Sequence, residues 1–352
     1  MNHQPSLSNT HHVDVLVVGG GAAGLSAALM LGRSRRSVLV VDDGKPRNAP
    51  STAVHAFLTR DGIPPQELLR LGYDETVRYG VEHRNARVVR VSRIDNGFIG
   101  ELDNGETVRA RRLLVTTGLV DELPPIAGLA ERWGRDVIHC PFCHGWEVRD
   151  QTIGVLATSP KAMHQVGLFR QLSDDIILLS HTGGERDADQ TALLAARDVK
   201  VVDGTVTAVT VRGDQLVGVE LDDGSYVPLS ALAIAPRFVA KSDLLEQLGL
   251  PAVEHPSGAG MHIPANPMGQ TDVEGVWVAG NITEPMAQVM ASAAQGATAG
   301  AGLNGDLVAE DNRLALQGVL CPTTMRSRNS GTSSTPLTGS SPRNGRDTPT
   351  AL

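Results

Sequence analysis

A chain of 352 residues with 41% hydrophobic and 20% charged residues has an ordinary globular composition and is long enough for two domains with their own cores. Its formal net charge of -8, with no Lys/Arg block beyond Arg33 to Arg36, gives no electrostatic reason to expect nucleic acid. No stretch is long and apolar enough for a bilayer span, and the first twelve residues, MNHQPSLSNTHH, lack the basic region and apolar core of a signal peptide, so neither membrane nor export is expected.

Val13 to Val18 is a short β-branched run that ends in Gly19-Gly20-Gly21-Ala22-Ala23-Gly24, and Leu25 to Leu31 has the small and apolar residues of a buried helix. Ser37 to Val41 then runs into Asp42, completing a strand-helix-strand unit, with Arg33 to Arg36 at the helix C-terminus where cations suit the dipole. In that setting Gly19-x-Gly21-x-x-Gly24 reads as a dinucleotide fingerprint. Gly19 allows the tight turn, Gly21 lets the backbone approach a pyrophosphate, and Gly24 lets helix and strand pack closely. The pyrophosphate is expected at the helix N-terminus, and Asp42 is expected to accept hydrogen bonds from a ribose diol.

Residues 85 to 117 read as short strands broken at Asp95-Asn96-Gly97 and Asp103-Asn104-Gly105, closing with Leu113-Leu114-Val115-Thr116-Thr117-Gly118. After Leu123-Pro124-Pro125 a second series begins at Ile153 to Leu156 and continues through Ile176 to Leu179 and Val199 to Val202. It ends near Leu232 to Pro236, and the first pattern resumes to reach Gly275 to Asn281, GVWVAGN. The expected fold class is α/β, with two Rossmann-like three-layer nucleotide-binding domains, the second inserted into the first: 1–122 and 238–310 form one and 123–237 the other. Met286 and Met290, at helical spacing, read as core. From Val319 onward Ser, Thr, Pro, Asn and Arg dominate, so 318–352 is expected to be a disordered tail in which Cys321 is inert.

The stretch His139 to Glu147, HCPFCHGWE, carries the chemistry. Cys140 and Cys143 can close a reducible disulfide, and neighbours such as Pro141 and His144 are of the kind that lower a thiol pKa. A thiol of pKa ~8.5 is about 3% ionised at neutral pH, whereas one near 7 is half ionised. A zinc site needs four ligands and the third cysteine is far away in sequence, so no metal is expected. The string also matches a haem-attachment pattern, which normally demands export. Two buried, inert cysteines are the remaining alternative. Three cysteines in a chain without export features suit a reducing cytoplasm, where a paired dithiol is more often catalytic.

The order Gly19 to Gly24, Thr116-Thr117-Gly118, Cys140-x-x-Cys143 and Gly275-Val-Trp-Val-Ala-Gly280 resembles the low-molecular-weight thioredoxin reductase family over roughly residues 12–308. The resemblance implies FAD on the first and last thirds of the chain, an inserted NADPH domain carrying the redox cysteines, and a homodimer. It implies that Gly19, Gly21, Gly24, Asp42 and Gly118 serve the cofactor, that Gly280 and Asn281 approach the flavin ribityl-phosphate region, and that Gln288 lies nearer the ring. It also implies that Cys140 exchanges with substrate and Cys143 faces the flavin. The family usually has Asp where Asn281 stands and Arg where Ala287 stands. His55, in AVHAFLTRDG, could face the flavin by the same analogy; His139 and Glu147 are weaker candidates.

Two departures matter. Where a second glycine fingerprint is expected, the chain has Ala157-Thr158-Ser159-Pro160-Lys161-Ala162. Ser159 and Pro160 suit an N-cap and first helical residue, so a helix start is expected while the phosphate cradle is lost. Where the family holds the adenosine 2'-phosphate with a His-Arg-Arg type segment, the chain has Ser180 to Glu185, SHTGGE. Without two charge-assisted hydrogen bonds, worth ~1.5 to 3 kcal/mol each, NADPH binding is expected to be weaker by roughly two to four orders of magnitude.

His144 takes the position at which the family carries an acidic residue, and the motif is similar to a branch that includes gliotoxin- and holomycin-type dithiol oxidases. An imidazole there can take a thiol proton and stabilise the thiolate once protonated; the alternative is a histidine that only caps the turn before Gly145. The resulting expectation is oxidation of a substrate dithiol, small molecule or thioredoxin-like protein, with molecular oxygen as acceptor. The rivals are an NADPH-dependent thioredoxin-disulfide reductase and a non-catalytic flavin/disulfide redox sensor.

Overall fold

The computed structural model describes residues 10–159 and 161–318. The expected tail, with Cys321, therefore lies outside the described residues except at Gly318, and so do the first nine residues and Pro160. One compact unit runs to Val308; of the second, Ala309–Leu352, the described part is the end of the helix Val289–Leu316 and the turn at Gln317 and Gly318.

The strand Thr10–Val18 is flanked in parallel by Val38–Asp42 and Thr107–Val115, with Val15 opposite Val38 and Val18 opposite Val115. It begins three residues earlier than its apolar run, because Thr10 to His12 pair with Thr107 to Arg109 whatever their polarity. The outer edge of Thr107–Val115 is shared: Gly97–Leu102 pairs antiparallel with its first half and Val276–Val278 pairs parallel with its last three residues. The late segment thus returns to the sheet made by the first third of the chain. Alternation along the strand assigns the two faces, as a period of two requires. Val15 and Val17 pack with Ala27, Leu31 and Leu303, while Leu16 and Val18 pack with Phe98, Leu113 and Leu245.

The helices Ala22–Arg33 and Val289–Leu316 lie against each other through small residues. A Cβ on Gly296 would stand 2.0 Å from the Ala23 carbonyl oxygen, and one on Gly300 would stand 2.8 Å from that of Ala27. Backbone-to-backbone approach this close needs glycine on one side.

A second parallel sheet runs Lys200–Val202, Ile176–Leu179, Ile153–Leu156, Ala231–Ile234 and Val137–Ile138. Its three central strands, IILL, IGVL and ALAI, are buried at every residue, the pattern of a parallel sheet covered on both faces. The helix Ala162–Phe169 packs on one side and an antiparallel three-stranded sheet, Val206–Arg212, Gln215–Leu221 and Tyr226–Pro228, on the other. Leu119–Glu122 and Arg237–Ala240, paired antiparallel, carry the chain into and out of this region. The helix expected to start after an N-cap at Ser159 begins at Ala162 instead, with Lys161 as its N-cap and no side-chain cap. The Ser159 carbonyl accepts from the Ala162 N–H at 3.1 Å; Pro160, the expected first helical residue, lies outside the described residues.

Candidate active site

In parallel α/β sheets, ligands sit beyond the carboxyl ends of the strands. Here those ends deliver Gly19 to Gly21, Asp42, Thr116 to Gly118 and Gly280 to one rim, and the rim borders a cleft of about 1020 Å³. The cleft runs from the glycine turn to Cys140, Cys143 and His144, and it takes in Asn281 and Gln288. Of the residues expected to serve chemistry or cofactor, all except Gly24 and the weaker candidate Glu147 line this one space.

The three fingerprint glycines are glycine for three different reasons. Gly19 has φ +106, and a Cβ there would meet the Thr116 carbonyl at 2.6 Å. Gly24 lies beneath the turn, where a Cβ would stand 1.9 Å from the Gly19 carbonyl oxygen. At Gly21 a Cβ meets nothing within 4 Å: the space it would fill is cleft. Asp42 accepts from the Gly20 N–H at 2.6 Å and the Gly44 N–H at 2.8 Å, one bond to each carboxylate oxygen, which leaves lone pairs on both for a diol. The Thr116 hydroxyl donates to the Gly19 carbonyl at 2.8 Å and braces the turn from below. A helix N-terminus, a bare second glycine and a braced carboxylate at the strand end fit the adenosine and pyrophosphate of FAD.

Gly280 has φ +79 and donates its N–H to Gln295 at 3.1 Å, while a Cβ there would press on Ala23 at 2.9 Å. Asn281 uses its amide nitrogen on the carbonyls of Glu284, Pro285 and Ala287 at 3.1, 3.3 and 2.8 Å. A carboxylate cannot donate, so these bonds belong to asparagine and hold the 284–287 turn at the cleft edge. Arg47 donates to the Asn281 side-chain oxygen Oδ1 at 3.4 Å and grips Asp121 with two nitrogens, at 2.8 and 2.6 Å. Neither Arg47 nor Asp121 belongs to a recognisable motif, and 74 residues separate them.

Cys140 and Cys143 form a disulfide, Cys140 preceding and Cys143 lying within the short helix Pro141–His144. Both are half-buried, and the Gln288 amide approaches Cys140 Sγ at 3.9 Å. The bonded pair removes the reading of two inert free thiols, and among the described residues no His/Cys/Asp/Glu group is arranged to hold a metal.

His144 Nε2 lies 2.9 Å from Ser51 Oγ, and burial pushes the imidazole below its usual pKa, opposed by Glu147 and assisted by His55. His55 stands between Asp61 at 3.4 Å and Glu147 at 3.3 Å, so the two histidines and Glu147 form one cluster beside the disulfide. Ser51 sits in a Pro-Ser-Thr loop without any sequence signature and was reachable only through the fold. His139 is turned away from this chemistry: its Nδ1 bonds the Ile234 carbonyl at 3.0 Å, its ring meets Phe238 edge-on, and burial lowers its pKa. Met286 and Met290, expected in the core, are 53% and 45% exposed. Met286 precedes the helix that begins at Val289 and borders the cleft, so helical spacing did not apply to the pair.

The second nucleotide position is small. Ala157, Ser159, Gly183, Glu185 and Arg186 border a depression of about 150 Å³, below the roughly 300–1,000 Å³ of ligand pockets. The Thr182 N–H donates to the Ala157 carbonyl at 3.1 Å, and a Cβ on Gly183 would stand 2.5 Å from that of Ala157. The nearby cation, Arg186, is held by Asp203 at 2.9 Å and Ser180 at 2.7 Å.

Residues 13–296 match the pyridine nucleotide-disulphide oxidoreductase family. A relative named thioredoxin reductase sirT, from Leptosphaeria maculans, is 32% identical over 83% of this chain and 93% of its own length. Thioredoxin reductase tcpT from Claviceps purpurea is 29% identical over 87% of this chain and 98% of its own. Among solved structures, HlmI is 44% identical with a TM-score of 0.81, covering 87% of this chain and 96% of HlmI. An oxidoreductase from Agrobacterium tumefaciens is 37% identical with a TM-score of 0.79, covering 84% and 99%. With a family match across both sheets, a dinucleotide turn and a disulfide that share one cleft, the chain belongs to the pyridine nucleotide-disulphide oxidoreductase family, as a thioredoxin reductase-like, FAD-binding disulfide oxidoreductase.

Proposed function

We propose that the protein oxidises a small dithiol to a disulfide and passes the electrons to molecular oxygen, with net consumption of one dithiol and one O2 and release of one disulfide and one hydrogen peroxide. The observation that carries this reading is the contrast between the two nucleotide positions: a wide cleft at the first, and at the second a depression of about 150 Å³ with its cation already paired. A flavin that NADPH does not reduce needs another electron source, and the Cys140–Cys143 pair beside the first site, once reduced by a substrate dithiol, is one.

In this reading Gly21, the N-terminus of Ala22–Arg33 and Asp42 hold the cofactor's adenosine and pyrophosphate, with Gly118, Gly280, Asn281 and Gln288 along the remaining wall. FAD, when bound, accepts two electrons from the reduced cysteine pair and gives them to oxygen. The chain's own residues perform the exchange. His144 takes the proton of the first substrate thiol; the thiolate attacks Cys140 Sγ, the Cys140–Cys143 bond breaks, and Cys143 leaves as thiolate. The second substrate thiol gives its proton to the Cys143 thiolate and attacks the substrate's first sulfur, releasing Cys140 as thiolate and closing the substrate disulfide. Two electrons and two protons have passed from substrate to enzyme. Phe142, 65% exposed, and Met286 border the cleft beside the pair, which suits an apolar dithiol body. A homodimer in the cytoplasm is part of the same reading.

The names of the relatives favour a second reading, reduction of thioredoxin with NADPH. Anaerobic mixing separates the two. The expected result is that the purified flavoprotein should be bleached rapidly by dithiothreitol and slowly or not at all by excess NADPH, and that admitted oxygen should restore the colour with hydrogen peroxide in proportion to the disulfide formed. Rapid bleaching by NADPH coupled to thioredoxin reduction overturns the oxidase reading in favour of the reductase.

A further inference from the structure

We propose that Ser51 is a positioning residue that fixes the tautomer of His144, leaving the proton on Nε2 and the lone pair on Nδ1; this rests on the reading of His144 as the base. A serine hydroxyl has one proton to give. Ser51 Oγ lies 2.8 Å from the Ala53 carbonyl oxygen, which can only accept, so the hydroxyl proton is committed there. The approach of 2.9 Å between Ser51 Oγ and His144 Nε2 needs its own proton, and the ring alone can supply it. The Ala53 N–H, 3.4 Å from the same oxygen, adds a second donor and no acceptor, which reinforces the direction.

A neutral imidazole protonated at Nε2 carries its basic lone pair at Nδ1. Proton uptake at Nδ1 leaves the Nε2–H bond to Ser51 in place, so the ring is held in one orientation before and after the transfer. The groups around the ring are consistent with a neutral resting state. Burial disfavours the charged form and His55 adds to that; Glu147 opposes it, and its carboxylate is shared with His55, which Asp61 faces from the other side. Ser51 and His144 are 93 residues apart and both line the cleft, so the tautomer depends on the packing that brings their two segments together.

The test uses the full-length, FAD-loaded protein with nitrogen-15-labelled histidine. His144 is identified as the signal lost in His144→Gln. The wild-type spectrum above the titration of His144 should show a protonated Nε2 and a bare Nδ1. Ser51→Ala should convert this to a tautomer mixture and Ser51→Thr, which keeps the hydroxyl, should restore the single form. Anaerobic bleaching by dithiothreitol should slow roughly tenfold in Ser51→Ala on the high-pH plateau, a part of the ~10²–10⁴ that a positioned base contributes. An Nδ1–H tautomer in the wild type overturns the proposal, and that result is available even if Ser51→Ala does not fold. So does a Ser51→Ala protein with unchanged tautomer and plateau rate. Wild-type bleaching rates in His144→Gln instead sink the reading of His144 as the base, while the wild-type tautomer still decides the role of Ser51.

Discussion

Gly21→Leu separates cofactor binding from folding more cleanly than any other substitution at the glycine turn. Gly21 has φ -73 and ψ -174, an extended conformation open to any residue, and nothing lies within 4 Å of its Cβ position. The apo fold should therefore tolerate the change to within about 0.5 kcal/mol, a shift of about 1–2 °C in melting temperature for a domain of this size. The new side chain would fill the part of the cleft that faces the helix N-terminus, where the pyrophosphate is expected. Denying the pyrophosphate two charge-assisted N–H bonds, at ~1.5–3 kcal/mol each, reduces affinity by very roughly two to four orders of magnitude. Free FAD at about 100 times the wild-type Kd stabilises the wild type by about 2.7 kcal/mol and should stabilise the variant by almost nothing. Visible flavin absorbance of the purified protein and thermal melts with and without added FAD read both quantities. Full flavin content in Gly21→Leu would refute the site assignment. A large loss of apo stability would refute the structural reasoning, because the defect would then be one of folding.

Gly24→Ala should do the reverse and destabilise the apo protein by about 3 kcal/mol or more, since its Cβ would stand 1.9 Å from the Gly19 carbonyl and backbone must move; chemical denaturation measures this, and a change below about 1 kcal/mol would contradict the packing. Cys143→Ser should abolish flavin bleaching by dithiothreitol, whereas Cys140→Ser should keep a thiolate beside the flavin and show a long-wavelength absorbance band; the band in Cys143→Ser alone would exchange the two roles. His144 must be neutral to act as base, and burial lowers its pKa, so the bleaching rate should hold below pH 6.5 and fall only further into acid; a fall centred above pH 6.5 would contradict the shift. His83, His139 and His144 are each lowered chiefly by burial, so the unfolded chain binds more protons, and the stability they contribute is complete above about pH 6.5 and lost as pH falls toward the folded values; denaturation midpoints that do not fall between pH 7 and pH 5 would contradict that sign.

Local chain chemistry made the framework legible before any coordinates. The run Val13 to Val18 followed by Gly19, Gly21 and Gly24 has only one common use, because turn, close approach and helix packing each demand a missing side chain at that spacing. The apolar runs Ile153 to Leu156 and Ile176 to Leu179 announced a second strand-helix-strand series, while the central strand Ala231–Ile234 emerged only from the fold; the spacing of Cys140 and Cys143 announced a reducible pair. Tertiary structure decided what local pattern cannot encode. Ser51 and His144, Arg47 and Asp121, and Thr182 and Ala157 meet only because distant elements pack around a common cleft and sheet end, and no periodicity records such pairs. Helical spacing misjudged Met286, since a turn held by Asn281 precedes the helix, and turn chemistry misjudged Ser159, since the N-cap is Lys161, two residues later. A side chain's reach is local and its partner is not: residue order determined the elements, and the packing of distant elements determined which polar groups became a site.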